Sequence, residues 1–189
     1  MSRIFKGLRG KSMSTILKRC LLALPLWLSM TAAQAHLAPG DTPPDFLGNT
    51  RAEDAVHVSD MRGKVVVVTF WASWCHYCQE ELPSLAGIQK LVSPQQLQVV
   101  AINRDDRDTF LKLNRYLAKK TPDLILTFDP GAVGKAYGIN GIPNTFLIDR
   151  DGKVAYVHTG YGDDMLDGIA SEINNLLARP AQASAAPSP

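Results

Sequence analysis

Two cysteines three residues apart, Cys75 and Cys78 in the run Trp74-Cys-His-Tyr-Cys78, are the residues of this sequence best able to do chemistry. A thiolate rather than a thiol attacks disulfides, and a cysteine at a helix N-terminus has its thiolate favoured by the unpaired N–H groups there. A second cysteine one turn further on lies beneath the first and can attack a mixed disulfide to release the partner. A zinc site needs four ligands, and only His76 is nearby, badly placed beside Cys75. A c-type haem attachment needs His at position 79, which is Gln. A structural staple across so short a loop gains least from loop entropy. Disulfide exchange is the reading in which nothing obligatory is missing.

The flanking pattern supplies the elements to hold such a pair. Val65 to Phe70 is a continuous β-branched and apolar run, as in a strand buried on both faces. From Cys75 to about Leu91, Tyr77, Leu82, Leu85, Ile88 and Leu91 recur at helical spacing, which predicts a helix kinked near Pro83. Leu97 to Ile102 reads as a strand, Asp105-Asp106 as a helix start, and Phe110, Leu113, Tyr116 and Leu117 as its apolar stripe. Further on come a strand over Leu124 to Phe128, a short helix over Gly131 to Tyr137, and a breaker-rich loop from Gly138 to Pro143. A strand over Thr145 to Ile148 follows, with a hairpin connection at Asp149 to Gly152, a strand over Val154 to His158 and a helix over Asp163 to Ala178. Residues 36–50, rich in Pro and Gly, read as an extended approach segment. The fold class expected is α/β, a sheet with helices on both faces.

The formal charge of +2 is set by the first 35 residues, which hold six basic residues and no acidic one; the remainder has 14 basic against 18 acidic. A mildly acidic body argues against nucleic acid as partner. The basic stretch is followed by an apolar run from Cys20 to Met30 and by Ala33-Gln34-Ala35, the order of a secretory signal. Cleavage is expected after Ala35, because the apolar run is short of the roughly 20 residues of a spanning helix; Met13 is an alternative start. The domain is expected over residues 36–180, with a disordered Ala/Ser/Pro tail at 181–189. Export would remove Cys20 and place the remaining pair outside the cytoplasm, in the periplasm.

The stretch from Val65 through Trp71-Ala-Ser-Trp-Cys75 to Pro83 closely resembles thioredoxin-fold proteins of the TlpA/ResA type. Gly40-Asp-Thr-Pro-Pro-Asp-Phe46 and Gly141-Ile-Pro-Asn-Thr-Phe-Leu-Ile-Asp149 resemble other motifs of that group, and residues 105–128 resemble its helix-strand insertion. The resemblance spans about residues 40–178. It implies a central mixed sheet, Cys75 as nucleophile, Cys78 as resolving thiol, and a cis Ile142-Pro143 peptide that lets the Ile142 backbone pair with a substrate strand. Glu81 matches the group's acidic residue and would carry protons to and from Cys78 if buried; a lone helix Glu is otherwise solvated. Trp71 is expected in the core and Trp74 as a flat apolar surface beside the sulfurs, although packing is the commoner fate of both rings. His57 and His158 are read as strand-end residues without a chemical task.

An exported monomer is expected, without a metal and, since no nucleotide, flavin or haem motif appears, without a cofactor; the resemblance implies a reductase of protein disulfides such as those of apocytochrome c, recharged by a membrane thiol donor. His76-Tyr77 departs from the Glu-Pro or Gly-Pro pairs of reducing relatives, and a cationic His76 would favour the thiolate and make the protein more oxidising. An oxidase or isomerase is therefore the alternative. A copper-delivery module is a third reading, with His57 or His158 as the distant ligand. A peroxidase is disfavoured because the Thr that peroxiredoxins place three residues before the cysteine is absent.

Overall fold

The computed structural model describes residues 36–162 and 164–179. The expected secretory signal and tail lie outside the described residues. Seven strands form one sheet: β1 (Phe46–Asn49), β2 (Ala55–His57), β3 (Val65–Trp71), β4 (Leu97–Asn103), β5 (Ile125–Phe128), β6 (Asn144–Ile148) and β7 (Val154–Thr159). Their spatial order is β2-β1-β5-β4-β3-β6-β7. β3, β4 and β5 run parallel, while β6 and β7 on one side and β1 and β2 on the other are antiparallel. The helices are α1 (His76–Leu91), α2 (Arg107–Lys120), α3 (Ala132–Ala136) and α4 (Met165–Ala178).

Every residue of β3 and β4 is buried, which explains why these strands read as unbroken apolar runs rather than alternating ones. On one face Val65, Val67 and Trp71 pack with Cys78, Leu82 and Leu85 of α1, Phe110 of α2 and Ile169, Ile173 and Leu176 of α4. On the other, Val66, Val68 and Phe70 pack with Val133, Tyr137 and the 3-10 turn at Val58–Met61. Helices do flank both faces, and α2 with β5 forms the expected insertion.

The expectation for residues 36–50 needs correction, because Phe46–Asn49 near its end is strand β1, paired to β2 and β5. Its composition hid it: Gly48, a strand breaker by propensity, sits inside it with φ +94°, and only Leu47 and Gly48 are buried. The turn segments before it are tied down by the Tyr137 hydroxyl, which donates to the Pro44 carbonyl at 2.9 Å.

A buried side chain completes the edge of β4. β5 pairs only from Val100 onward, so the start of β4 lacks a neighbour on that side. Gln89 of α1 stands in for one: its amide donates to the Leu97 carbonyl at 2.9 Å and its oxygen accepts from the Val99 N–H at 2.7 Å. A buried polar side chain is tolerated when its partners are supplied, and here both are.

Candidate active site

β3 ends at Trp71 in the middle of the sheet, and the chain turns through Ala72 to Trp74 into α1. The turn is tethered. Asp105, just past the end of β4, accepts from the Ser73 N–H at 2.9 Å and the Ser73 hydroxyl at 3.0 Å, and is itself held by Asn103 at 2.9 Å. Gln79 donates to the Ser73 carbonyl from the first turn of the helix. Asp105 was read from sequence only as a helix start; its tie to Ser73 across 32 residues leaves no local signal.

Cys75 is the N-cap of α1, with extended backbone and its sulfur accepting from the Cys78 N–H at 3.2 Å. The two cysteines form a disulfide. Cys75 is 7% exposed and Cys78 is 0% exposed, so a partner's sulfur can approach only the first. Three of the elements that the sequence suggested converge beside this pair. The Ile142-Pro143 peptide is cis and precedes β6, whose Asn144 pairs with Phe70 next to the end of β3; Ile142 packs against the cluster that contains both cysteines. Trp71 is buried as expected. Trp74 is 72% exposed, so it is not packed, and it presents an apolar ring to solvent one residue before Cys75.

Glu81 is not a solvated helix residue. It has no exposed surface and lies one turn after Cys78 on the same buried side of α1. Its Oε1 is 2.7 Å from the Thr145 hydroxyl, its Oε2 accepts from Thr69 at 2.9 Å, and the two hydroxyls are 2.9 Å apart. Burial pushes its carboxyl above the ordinary glutamate range; the Thr145 and Thr69 hydroxyls and the charge of His158 offset this in part. Thr69 and Thr145 escaped notice because threonine in a β-branched run is what a strand prefers anyway.

His76 is highly exposed and its Nε2 lies 3.1 Å from Glu80 Oε1, one turn on. Tyr77, also exposed, stacks on Tyr161 of the loop after β7, with ring centroids 5.5 Å apart, and the neighbouring Gly160 N–H donates to the Pro143 carbonyl at 2.9 Å. His57 ends β2 at the opposite edge of the sheet, 3.2 Å from Asp45. His158, at the penultimate position of β7, contacts Glu172 of α4 at 2.6 Å.

A slightly exposed sulfur at a helix N-cap, a shielded second sulfur one turn on and a cis proline at the adjoining strand end, all on this sheet, define a thioredoxin-like thiol-disulfide oxidoreductase with Cys75 and Cys78 as its redox pair. The family profile described as Redoxin matches residues 38–177, and the chain belongs to that family. It is similar to the thiol-disulfide oxidoreductase ResA of Bacillus subtilis, at 26% identity over 87% of this chain and 89% of that protein. Among solved structures it is similar to a thiol:disulfide interchange protein DsbE of Chlorobium tepidum, at 33% identity and TM-score 0.67 over 75% of this chain and 99% of that one. A further similar structure is the exposed lipoprotein thioredoxin of Streptococcus pneumoniae, at 26% identity and TM-score 0.61 over 70% of this chain and all of that one.

Proposed function

We propose that this protein is an exported reductase of protein disulfides, acting on substrates such as the haem-binding cysteines of apocytochrome c and recharged by a membrane thiol donor. The observation that carries the reading is the pairing of an accessible Cys75 with a fully buried Cys78 one turn before a fully buried Glu81. In the dithiol form the Cys75 thiolate attacks a substrate disulfide, forming a mixed disulfide and expelling one substrate thiolate. The Cys78 thiol passes its proton to the Glu81 carboxylate and attacks the Cys75 sulfur. That step closes the Cys75–Cys78 disulfide and releases the second substrate thiolate, which takes up a proton. Two electrons have moved from the protein to the substrate, and the bridged pair described above is the product.

Trp74 and the backbone of Ile142 and Pro143 are the surfaces this reading assigns to the substrate, an extended segment pairing beside β6. The resemblance to the TlpA/ResA group supports the cytochrome substrate and the reducing direction. The basic, apolar and Ala-x-Ala order of residues 1–35 supports export.

The reduction potential tests the proposal. A reductase is expected near or below the thioredoxin range, about −270 mV, whereas a value near the most oxidising periplasmic proteins, about −120 mV, overturns the reducing role in favour of a disulfide oxidase.

A further inference from the structure

Glu81 cannot serve as a proton acceptor unless something offsets the cost of ionising a carboxyl with no solvent contact. Thr145 of β6 is the register partner of His158 of β7, and residues directly opposed across an antiparallel pair project from the same face. His158 thus stands on the Glu81 side of the sheet, behind the hydroxyl that Glu81 contacts. Its ring is 19% exposed and held at 2.6 Å by Glu172, which is 23% exposed and reaches in from α4. The groups facing Glu81 come from each element packed there: Cys78 from α1, Thr69 from β3, Thr145 from β6, and His158 from β7 with Glu172 behind it. Of these, with the disulfide closed only His158 and Glu172 are ionisable, and only His158 can bring a positive charge.

We propose that His158, fixed by Glu172, is a positioning residue for disulfide exchange: its protonated ring holds positive charge against the buried Glu81 carboxyl so that Glu81 can ionise and accept the proton leaving Cys78. The Glu172 contact fixes the ring where it stands. The inference rests on the proton role proposed for Glu81.

The test is the carboxyl-carbon NMR titration of Glu81 in the full chain with the disulfide intact, alongside the pH profile of exchange measured on the reduced protein. With His158→Gln the Glu81 midpoint is expected to move up by about one unit, the low end of what a neighbouring opposite charge does, and the pH–rate profile to move with it. His158→Lys, which keeps a cation, is expected to return both toward wild type. An unmoved Glu81 midpoint in His158→Gln overturns the inference, whatever the exchange rate does. If His158→Gln does not fold, the wild type still decides: the Glu81 resonance must show a second inflection where the His158 ring titrates, and its absence overturns the inference equally. A Glu81→Gln protein that exchanges at the wild-type rate at every pH instead overturns the proton role, a different result from a different variant.

Discussion

The Thr145 hydroxyl lies 2.7 Å from the Glu81 carboxyl, which makes a β6 side chain part of the environment of an α1 acid. With Thr69 it forms a triangle of three contacts. A neutral carboxyl can close that triangle, Glu81 donating to Thr145, Thr145 to Thr69 and Thr69 back to Glu81, each hydroxyl donating once. An ionised carboxyl instead takes both hydroxyls as donors. Either protonation state is satisfied without moving a heavy atom, which suits the proton role proposed for Glu81.

Glu81 should therefore leave a signature on stability. Its folded midpoint lies above the ordinary 4.5, with burial as the main cause, so the unfolded chain gives up this proton first as pH rises. The stabilisation is fully present below about pH 4.5 and is lost as pH climbs through the folded midpoint, by about 1.4 kcal/mol for each pH unit between the two midpoints. Urea unfolding of the oxidised protein should show Glu81→Gln gaining on wild type between pH 4 and pH 8. A gap that does not change with pH would mean that burial leaves this carboxyl unperturbed.

The two cysteines should be inequivalent. Cys78→Ser leaves the accessible sulfur able to attack and nothing to resolve the product, so it should accumulate mixed disulfides with a reactive protein partner, visible on non-reducing gels and lost on adding dithiothreitol. Cys75→Ser should trap none and exchange at the background rate, because Cys78 has no exposed surface. Equal trapping by both variants would contradict the assignment of Cys75 as nucleophile.

Trp74 is a test of the substrate surface. Since its ring is mostly in solvent, Trp74→Ala should leave the melting temperature within the small change usual for surface substitutions. Aromatic anchors commonly carry much of an interface's energy, so KM for a protein disulfide should rise about tenfold, equivalent to about 1.4 kcal/mol. Reduction of a small-molecule disulfide should change little. A large loss of stability would instead assign the ring a packing role.

The central strands, the helix that carries the cysteines and the cis proline were legible because each rests on local signals: apolar runs, helical spacing and a family motif. What was not legible depends on who sits opposite whom. Thr69 and Thr145 acquire their meaning only from the β3–β6 register that pairs them, and His158 only from the β6–β7 register. Strand β1 was missed because its pairing, not its composition, makes it a strand. Trp71 and Trp74 have the same chemistry three residues apart, and their opposite exposure agrees with the core and surface roles expected of them, although packing is the commoner fate of both rings.

Gln89 gave no signal either, being a polar residue on a helix with an apolar stripe. It is buried and satisfies the Leu97 carbonyl and the Val99 N–H at the unpaired edge of β4. Gln89→Leu would fill a similar volume while leaving two buried backbone groups without partners, each worth about 1–3 kcal/mol. A loss of about 2–6 kcal/mol is expected in urea unfolding, with exchange activity of the folded fraction retained. A loss below about 0.5 kcal/mol would mean that water replaces the side chain at this edge.

Two glycine substitutions should move stability in opposite directions. Gly48 has φ +94°, a conformation costly for any residue with a side chain, and a Cβ there would sit 2.6 Å from the Phe128 carbonyl oxygen and 3.2 Å from Thr127 Oγ1. The oxygen belongs to the backbone of β5, so relief requires parting β1 from β5. Left-handed strain alone costs of order 1–3 kcal/mol, and the clash adds to it, so Gly48→Ala should lose about 3 kcal/mol or more. Gly87 is on the exposed side of α1 with nothing within 4 Å of a built Cβ, and there the lost chain entropy and poor helix propensity of glycine dominate. Gly87→Ala should gain about 0.5–1 kcal/mol. Thermal or urea unfolding of the two oxidised variants checks both signs, and a Gly48→Ala protein as stable as wild type would mean that β1 is not held against β5 in solution.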